Sequence, residues 1–361
     1  MSQTSPVCGH TLNLDNLHFT PEELRSLNEL IVTAVLEAPE LSKYHTLVTG
    51  IKNDKRIGII PGTFGLVGKA AQSCNPVAQC YENTAIEKTW QPRYMEVIID
   101  MCLDELADTL MKLAVSCGVD VFDLTKTEIF TFIQNILAKD IAKMVFRMAW
   151  FGDTNAANFP VGILTPGIDP DFFNVIDGFW VQLAAIYAAD ADRRTAFVGN
   201  NQATTALQFS VATPVLTYAN LNAVIDAAPC ELQAQPDRIL LVTQSIMQRI
   251  RRQLQTLGTV FQDYKLMENG IEVANWDGIP IYANCLWDQW IKAYENNGTT
   301  LNDPHRVVFT TKSNLNIGMA CTGLFDNINS FYDPRSRYNR MEAVDAFDAK
   351  IIDDRLVQVG R

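Results

Sequence analysis

The sequence has few charges, no long apolar run and no leader-like start. Charged residues make up 19% of the 361 residues and hydrophobic residues 48%, whereas a disordered chain combines low hydrophobicity with high charge. A coiled-coil rod would be rich in Glu and Lys. No stretch reaches the ~18 uninterrupted apolar residues of a membrane span, and residues 1–6 lack the basic and apolar regions of a secretory signal. We expect a globular protein with two or three core-forming units that remains in the compartment where it is made.

Cysteine and histidine give little indication of a metal or redox site. None of the eight cysteines forms a Cys-x-x-Cys pair, so we expect reduced and mostly buried thiols. Cys8, His10 and His18 lack a second close-spaced pair of ligands, which makes zinc binding there a weak hypothesis. The four histidines, which include His45 and His305, are predicted to lie at the surface or to cap helices. No cofactor is expected.

A glycine-rich stretch and three acidic pairs are the remaining candidates for enzyme chemistry. A phosphate-binding loop ends in Gly-Lys followed by Ser or Thr, but Ala70 takes the hydroxyl position in the stretch 62–70. We therefore interpret that stretch as a β-turn region. Acidic pairs can serve a glycosidase, although acids so spaced more often cap helices and turns. The three acidic pairs leave open an alternative function as a soluble intracellular α/β hydrolase. These pairs are Asp169 with Asp171, Asp190 with Asp192, and Asp353 with Asp354.

The charge balance argues against a protein that grips nucleic acid. There are 41 acidic and 29 basic residues, which gives a formal net charge of −12. Proteins that neutralise phosphates carry clustered Lys and Arg. The only dense basic spots are 249–252 and the series Arg335, Arg337 and Arg340. A solvated helix face or salt bridges explain both, so sequence-specific binding of nucleic acid is not expected.

The pattern of predicted elements changes along the chain. An extended start precedes a helix that opens at Thr20 and ends at Pro39. Short β-type runs at 46–49, 56–60, 84–90 and 94–99 predict a long two-stranded excursion, which needs another surface to lie on. Two helices are then predicted. They cover 100–117 and 125–150, and the second starts with the capping box Thr125–Glu128.

The second half of the chain alternates predicted helices and strands. A buried helix is expected within 171–189, and the apolar run 238–242 predicts a buried strand that is followed by a helix over 245–257. The turn residues Asp277 and Gly278 predict a β-hairpin between 271–276 and 279–282. Further strands are predicted at 306–310, 316–319 and within 343–359.

Four stretches together resemble a known protein family. They are 86–102, 125–153 with its terminal Trp-Phe-Gly-Asp, 267–283, and 309–318 followed by 331–334 and 343–359. In this order they resemble the major capsid proteins of tailed double-stranded DNA bacteriophages, of the Hong Kong 97 type. The resemblance covers nearly the whole chain and depends on the order of the parts, because each motif alone is weakly specific.

The resemblance implies an α+β, Hong Kong 97-like capsid fold with an N-terminal arm, an extended β-hairpin called the E-loop, a peripheral domain with a long spine helix, and an α/β axial domain. The implied boundaries are 1–40 for the arm and a short helix, 41–96 for the E-loop, 97–155 for the peripheral domain with the spine helix at 125–150, 156–322 for the axial domain, and 323–361 for a C-terminal return to the peripheral domain.

The resemblance also implies a structural function without catalysis. The subunit would self-assemble into hexamers and pentamers of an icosahedral or prolate head that encloses double-stranded DNA, forming in the host bacterial cytoplasm and residing in the virion. Implied partners are other copies of the chain, a separate scaffolding protein, a portal and decoration or auxiliary capsid proteins, with only non-specific DNA contact and no membrane. A decoration or tail protein is a third possibility, which the long helix disfavours. Contacts between subunits are expected from the arm at Leu12, Leu14, Leu17 and Phe19, and from the E-loop at Phe64, Lys69, Trp90 and Arg93.

Overall fold

The computed structural model describes ten segments of the chain, and its helices and strands lie within them. The segments are 41–51, 55–59, 86–102, 128–156, 165–210, 217–256, 264–268, 271–320, 328–335 and 338–361. The helices are α1 (Leu41–Tyr44), α2 (Glu128–Phe151), α3 (Phe179–Ala189), α4 (Thr205–Gln208), α5 (Tyr218–Asp226), α6 (Cys230–Gln233), α7 (Gln244–Thr256) and α8 (Cys285–Tyr294). The strands are β1 (Thr46–Thr49), β2 (Arg56–Ile59), β3 (Ile86–Thr89), β4 (Arg93–Cys102), β5 (Arg194–Thr195), β6 (Arg238–Thr243), β7 (Tyr264–Glu268), β8 (Ile271–Trp276), β9 (Ile279–Asn284), β10 (Val307–Thr311), β11 (Leu315–Met319), β12 (Ile328–Asp333), β13 (Tyr338–Ile351) and β14 (Val357–Gly360).

The larger sheet has seven strands in the order β5-β14-β10-β6-β9-β8-β7. Its central strand β6 is buried on both faces, with Ile239 and Leu241 in one hydrophobic cluster and Leu240 and Val242 in another. A strand covered on both faces has a continuous apolar run instead of an alternating one. This confirms the strand predicted at 238–242.

The hairpin predicted around Asp277 and Gly278 is also confirmed. Strands β8 and β9 pair antiparallel with Trp276 opposite Ile279, so a two-residue turn joins them. Both turn residues have positive φ, 51° for Asp277 and 74° for Gly278. Asp-Gly is a favoured sequence for such a turn because both central residues must adopt left-handed backbone conformations.

The smaller sheet has five strands, and the 14-residue strand β13 is its centre. Strand β4 runs along one edge of β13, and β11 and β12 share the other edge. One face of this sheet contributes to the same buried cluster as the long helix α2, since Met341 and Phe347 lie in it together with Val145 and Phe146. The observed mixture of sheets and helices confirms the predicted α+β class.

Several predicted element boundaries differ from the structure. Residues Asp100–Cys102, predicted to open a helix, continue strand β4, and 103–117 lie outside the described residues. Only part of 171–189 is α-helical: a short 3₁₀ turn at Pro170–Phe172 precedes α3. The predicted long helix is confirmed as Glu128–Phe151, while its capping Thr125 lies outside the described residues.

Sheet membership does not follow the implied domain boundaries at two places. Strand β11 falls within the range 156–322 but pairs with β13 in the five-stranded sheet. Strand β14 falls within 323–361 but pairs with β10 and β5 in the seven-stranded sheet. The last 50 residues therefore connect the two sheets. Among the described helices, none is both long and apolar enough to cross a membrane.

Candidate functional site

Strands β2 and β3 form a two-stranded ribbon that joins neither larger sheet. Its strands pair from Arg56 opposite Thr89 to Ile59 opposite Ile86. The guanidinium of Arg56 lies 3.2 Å from the carboxylate of Glu87, and both side chains are mostly exposed. An isolated two-stranded ribbon is only marginally stable in water. Its stability therefore depends on contacts between the rest of the protein and its base, which is the end formed by Lys55, Arg56 and residues 88–91.

Trp90 anchors this base inside the protein. Its side chain is 1% exposed, and its backbone N–H donates to the carbonyl of Lys55 at 3.0 Å. Gly318 on β11 makes room for the indole. A Cβ at position 318 would lie 2.7 Å from Cζ3 of Trp90 and 2.7 Å from Cδ1 of Ile51. The indole of Trp90 therefore occupies space that is free only because Gly318 has no side chain, and this contact links the ribbon to the five-stranded sheet.

Charged groups hold the ribbon base on the other side. The ammonium of Lys88 donates to the carbonyl of Ile351 at 2.8 Å and also pairs with the carboxylate of Asp354. The backbone N–H of Gln91 donates to Asp348 at 2.8 Å, and Lys350 lies 3.4 Å from the same carboxylate. Burial raises the pKa of Asp348, against the opposing effect of Lys350 and the amide of Gln91.

The predicted contact residues have different positions in the structure. Trp90 is a core residue without surface left for a neighbour, so it is corrected from an inter-subunit contact to an internal anchor. Arg93 is exposed on β4, and its role as a contact stays a prediction. The other candidates lie outside the described residues: Leu12, Leu14, Leu17, Phe19, Phe64 and Lys69.

No pattern in the sequence points to the residues that secure the ribbon base. Lys88, Asp348 and Gly318 carry no motif, because their partners are remote in sequence. Lys88 and Asp354 are 266 residues apart. One signal was available for Lys88. It lies two residues before Trp90, within the stretch 86–102 that resembles the capsid family.

The end of helix α2 is locked to the start of α3 by two glycines. The N–H of Gly178 donates to the carbonyl of Gly152 at 2.8 Å. A Cβ on Gly178 would lie 2.8 Å from the carbonyl oxygen of Ala149 and 2.9 Å from the nitrogen of Gly152. Two backbones can approach this closely only where side chains are missing. Beside this contact, Nε1 of Trp150 donates to Nε2 of His45 at 3.0 Å, which ties α2 to the segment leading into β1.

All three acidic pairs begin short 3₁₀ turns. The carboxylates of Asp169, Asp190 and Asp353 each accept the backbone N–H two residues later. Asp353 also pairs with Arg355. Although burial acts in the opposite direction, hydrogen bonds and the charge of Arg355 hold the pKa of Asp353 below its usual value. These acids serve as caps, as the sequence favoured.

A serine and a histidine lie together where β6 leads into α7. Oγ of Ser245 is 3.2 Å from Nδ1 of His305, and Nε2 of His305 is 2.9 Å from the carbonyl of Gln208. Because a carbonyl only accepts, Nε2 carries the proton and Nδ1 accepts from Ser245. Asp288 accepts the backbone N–H of Gln244 at 2.6 Å, which caps α7.

This pair is poorly suited to nucleophilic catalysis. His305 is 0% exposed, so a substrate cannot reach it. Burial, together with the charge of Arg249, lowers its pKa to about 4 against the effect of its bond to Gln208. A histidine with so low a pKa is a weak general base near neutral pH. The pair fits a buried hydrogen-bond network.

The prediction of surface or capping histidines is wrong for two of the four, whereas the prediction of reduced, mostly buried thiols is tested at only two of the eight cysteines, which are free but not fully buried. His45 and His305 are buried, not at the surface. The ring of His45 stacks on Phe179 and accepts a hydrogen bond from Trp150. Both ring nitrogens of His305 are hydrogen-bonded. Cys230 is an exposed free thiol, and Cys285 is a partly buried one. The proposed zinc ligands and the stretch 62–70 lie outside the described residues. Within the described segments, no three His, Cys, Asp or Glu side chains come close enough to hold a metal ion.

The fold of the chain is similar to that of solved capsids. The capsid of cyanophage A-1(L) superposes with a TM-score of 0.52 at 12% identity, over 91% of this chain and 93% of that chain. For the capsid of the empty GTA particle the TM-score is 0.51 at 11% identity, over 90% and 96%. For the native GTA particle it is 0.50 at 11% identity, over 89% and 88%. No protein-family model and no curated protein matches the sequence.

At identities this low, the likeness establishes the fold. The chain has the α+β, Hong Kong 97-like capsid fold that its sequence pattern resembled. The match extends over about nine-tenths of the chain.

Proposed function

We propose that this protein is a major capsid protein, the structural subunit of a tailed-phage head. One observation carries the proposal: the fold matches a phage capsid over 91% of the chain, with no large part left over for another activity. In this proposal the subunits form hexamers and pentamers of an icosahedral or prolate shell around double-stranded DNA. The protein then resides in the virion and assembles in the host bacterial cytoplasm.

The ribbon β2–β3 supports assembly on physical grounds. It pairs with neither larger sheet, and two strands alone are marginally stable. In a closed symmetric shell, every copy can cover a neighbour's projecting element while its own is covered in turn. We propose that the ribbon, held at its base by Trp90 and Lys88, takes part in such an arrangement.

The net charge of the chain supports the proposal that the protein encloses DNA without binding it tightly. With a net charge of −12, the protein repels phosphates overall, and tight binding through released counterions requires many Lys and Arg contacts. We propose that DNA contacts the shell only non-specifically. Scaffolding, portal and decoration or auxiliary proteins are proposed as partners, since a shell of this kind has to be sized, filled and closed.

The hydrolase alternative finds no support among the described residues. Its acidic pairs cap 3₁₀ turns, and the serine–histidine pair is buried. We propose that the protein has no catalytic mechanism.

Electron microscopy of the purified full-length protein, with sedimentation velocity on the same sample, tests the proposal. We expect rings or uniform shells, in the presence of a co-expressed scaffolding protein where one is needed. A protein that stays monomeric at high concentration, both alone and in the lysate of infected cells, would contradict a capsid function.

A further inference from the structure

Helix α7 carries positive charge on a chain that is negative overall. It contains three arginines and no acidic residue, whereas the whole chain has a net charge of −12. One side of the helix is buried in the core. On the opposite side, the exposed residues Gln248, Arg252 and Gln255 follow one another at helical spacing. This side of the helix therefore presents hydrogen-bond donors and positive charge without a carboxylate.

The tertiary structure adds a cation from helix α8 to those of α7. The two helices begin side by side, because Asp288 of α8 accepts the backbone N–H of Gln244, the first residue of α7, at 2.6 Å. Farther along, Phe209 lies between them. Its carbonyl accepts from the guanidinium of Arg249, and the ammonium of Lys292 lies 5.9 Å from the centroid of its ring. Cations from both helices thus border the same phenylalanine.

The positive charge at this place is not neutralised by the described residues. We call the side chains of Arg249, Arg252 and Lys292 the cationic surface, and none of the three forms an ion pair within the described part of the chain. Asp288, the single carboxylate of the two helices, accepts backbone amides at the start of α7. Glu295, the next acid along the chain, pairs with a buried arginine.

The charges of the cationic surface also repel one another. Burial, together with the charge of Arg252, lowers the pKa of Arg249. The segment that contains Phe209 supplies no counter-charge, since residues 195–225 include no charged side chain. An anion that binds here would relieve this repulsion without displacing a carboxylate from its partner.

Nucleic acid fits the cationic surface better than an acidic protein does. A protein partner needs apolar anchors near the centre of its contact, and Leu207 is the one large apolar side chain exposed among the described residues of α4, α7 and α8. Phosphate contacts need no apolar pocket, because Arg, Lys and Gln side chains hydrogen-bond directly to phosphate oxygens. Double-stranded DNA presents such phosphates at high density along its axis.

We propose that Arg249, Arg252 and Lys292 contact the phosphates of the enclosed double-stranded DNA. The inference rests on the proposed capsid function and adds to it the surface of the subunit that the DNA touches. It also orients the subunit, since the end of the seven-stranded sheet where β6 and β9 lead into α7 and α8 then lies toward the inside of the shell. Phosphate contacts carry no sequence information directly, in agreement with non-specific contact.

The salt dependence of DNA binding tests the contact. A fluorescently labelled duplex of mixed sequence is titrated with the full-length protein, below the concentration at which it assembles, and anisotropy reports the affinity. Three phosphate contacts predict a slope of about −2.7 for the logarithm of affinity against that of salt concentration, which is a loss of about 40-fold from about 50 to about 200 mM salt. The triple variant Arg249→Gln, Arg252→Gln, Lys292→Gln should have a slope near zero.

A control variant removes the same charge from other places. Lys55→Gln with Arg56→Gln and Arg335→Gln substitutes three cations that are exposed elsewhere on the protein, and it should keep the wild-type slope. An equal loss of slope in this control would show that net charge, and not the cationic surface, governs binding, and would overturn the proposal.

A double variant decides the question where circular dichroism shows that the triple variant does not fold. Arg252→Gln with Lys292→Gln substitutes only exposed side chains and retains the bond from Arg249 to Phe209. We expect it to lose about two-thirds of the slope. A folded double variant with the wild-type slope would overturn the proposal.

The outcomes separate this inference from the proposed function. A wild-type protein that forms shells but does not bind the duplex overturns the inference and leaves the capsid function standing. Binding that depends on the cationic surface, in a protein that never forms shells, supports the surface and contradicts the function. Poly-glutamate that binds as tightly as the duplex through the same side chains would overturn the assignment to DNA in favour of an acidic protein segment. No binding and no shells overturn both.

Discussion

His305 shows how burial changes the chemistry of a single residue. Its imidazole lies between Ser245 and the carbonyl of Gln208, beside Phe209, and Arg249 is the nearby charge. Because the folded protein lowers its pKa from 6.5 to about 4, the unfolded chain takes up a proton first as the pH falls. Protonation in this range therefore favours unfolding.

We predict that stability falls between pH 6.5 and about 4 through this group. The full loss corresponds to about 3 kcal/mol, at 1.36 kcal/mol per pKa unit. Urea unfolding at a series of pH values measures it. His305→Gln removes the titration, so its free energy of unfolding should fall less steeply over the same range, whatever its value at neutral pH. Parallel pH curves for the two proteins would contradict this assignment.

A second prediction at this scale concerns Gly178. Alanine there would force a Cβ against the backbone of Ala149 and Gly152, so Gly178→Ala should destabilise the protein by about 1–3 kcal/mol. Gly58 is the matched control, because a Cβ there meets no atom within 4 Å. Gly58→Ala should change the free energy of unfolding by less than about 0.5 kcal/mol. Equal effects in thermal or urea unfolding would show that the backbone contact between α2 and α3 is unimportant.

At the scale of elements, the ribbon β2–β3 depends on contacts at its base. Lys88 joins it to the end of β13 at Ile351 and to Asp354 beyond it, whereas the Arg56–Glu87 pair only joins its two strands to each other. The two cations therefore offer a matched comparison between attachment to the protein body and pairing within the ribbon.

We predict that Lys88→Met loosens the ribbon and leaves the core intact. Loss of about 1 kcal/mol of local stability would raise amide hydrogen exchange in 55–59 and 86–89 roughly fivefold, with little change in β6. Arg56→Met should have a smaller effect, since exposed pairs contribute little. Exchange measured by mass spectrometry distinguishes the two variants, and equal protection in both would mean that Trp90 and the bond from Gln91 to Asp348 secure the base without Lys88.

For the whole molecule, net charge opposes association. Copies that each carry −12 repel one another, and salt shortens the range of that repulsion from about 10 Å at 0.1 M to about 3 Å at 1 M. On the proposed capsid function, assembly should increase as NaCl is raised, as followed by light scattering. KCl at equal ionic strength should act alike because screening does not depend on which of these cations is used. A decrease with salt would mean that attractive charge pairs dominate the interface.

Local patterns in the sequence were sufficient for several elements. The apolar stripe of α2, the continuous run of β6 and the Asp-Gly turn between β8 and β9 each depend on residues close together in the chain. The capping roles of Asp169, Asp190 and Asp353 are likewise local, since each carboxylate binds an amide two residues away. The fold itself was indicated by the resemblance of the order of these elements to that of a known capsid family.

Tertiary structure alone decided the rest. The burial of Trp90 depends on Gly318, and the anchoring of Lys88 depends on Ile351 and Asp354. The pairing of β11 with β13 and of β14 with β10 likewise joins segments whose partners no local pattern specifies. The physical reason is that secondary structure follows from neighbouring residues, whereas burial and attachment depend on contacts between residues hundreds of positions apart. The low content of charged residues was enough to indicate that this chain is globular. Only the three-dimensional arrangement shows which of its apolar residues lie in the core and which lie on the surface.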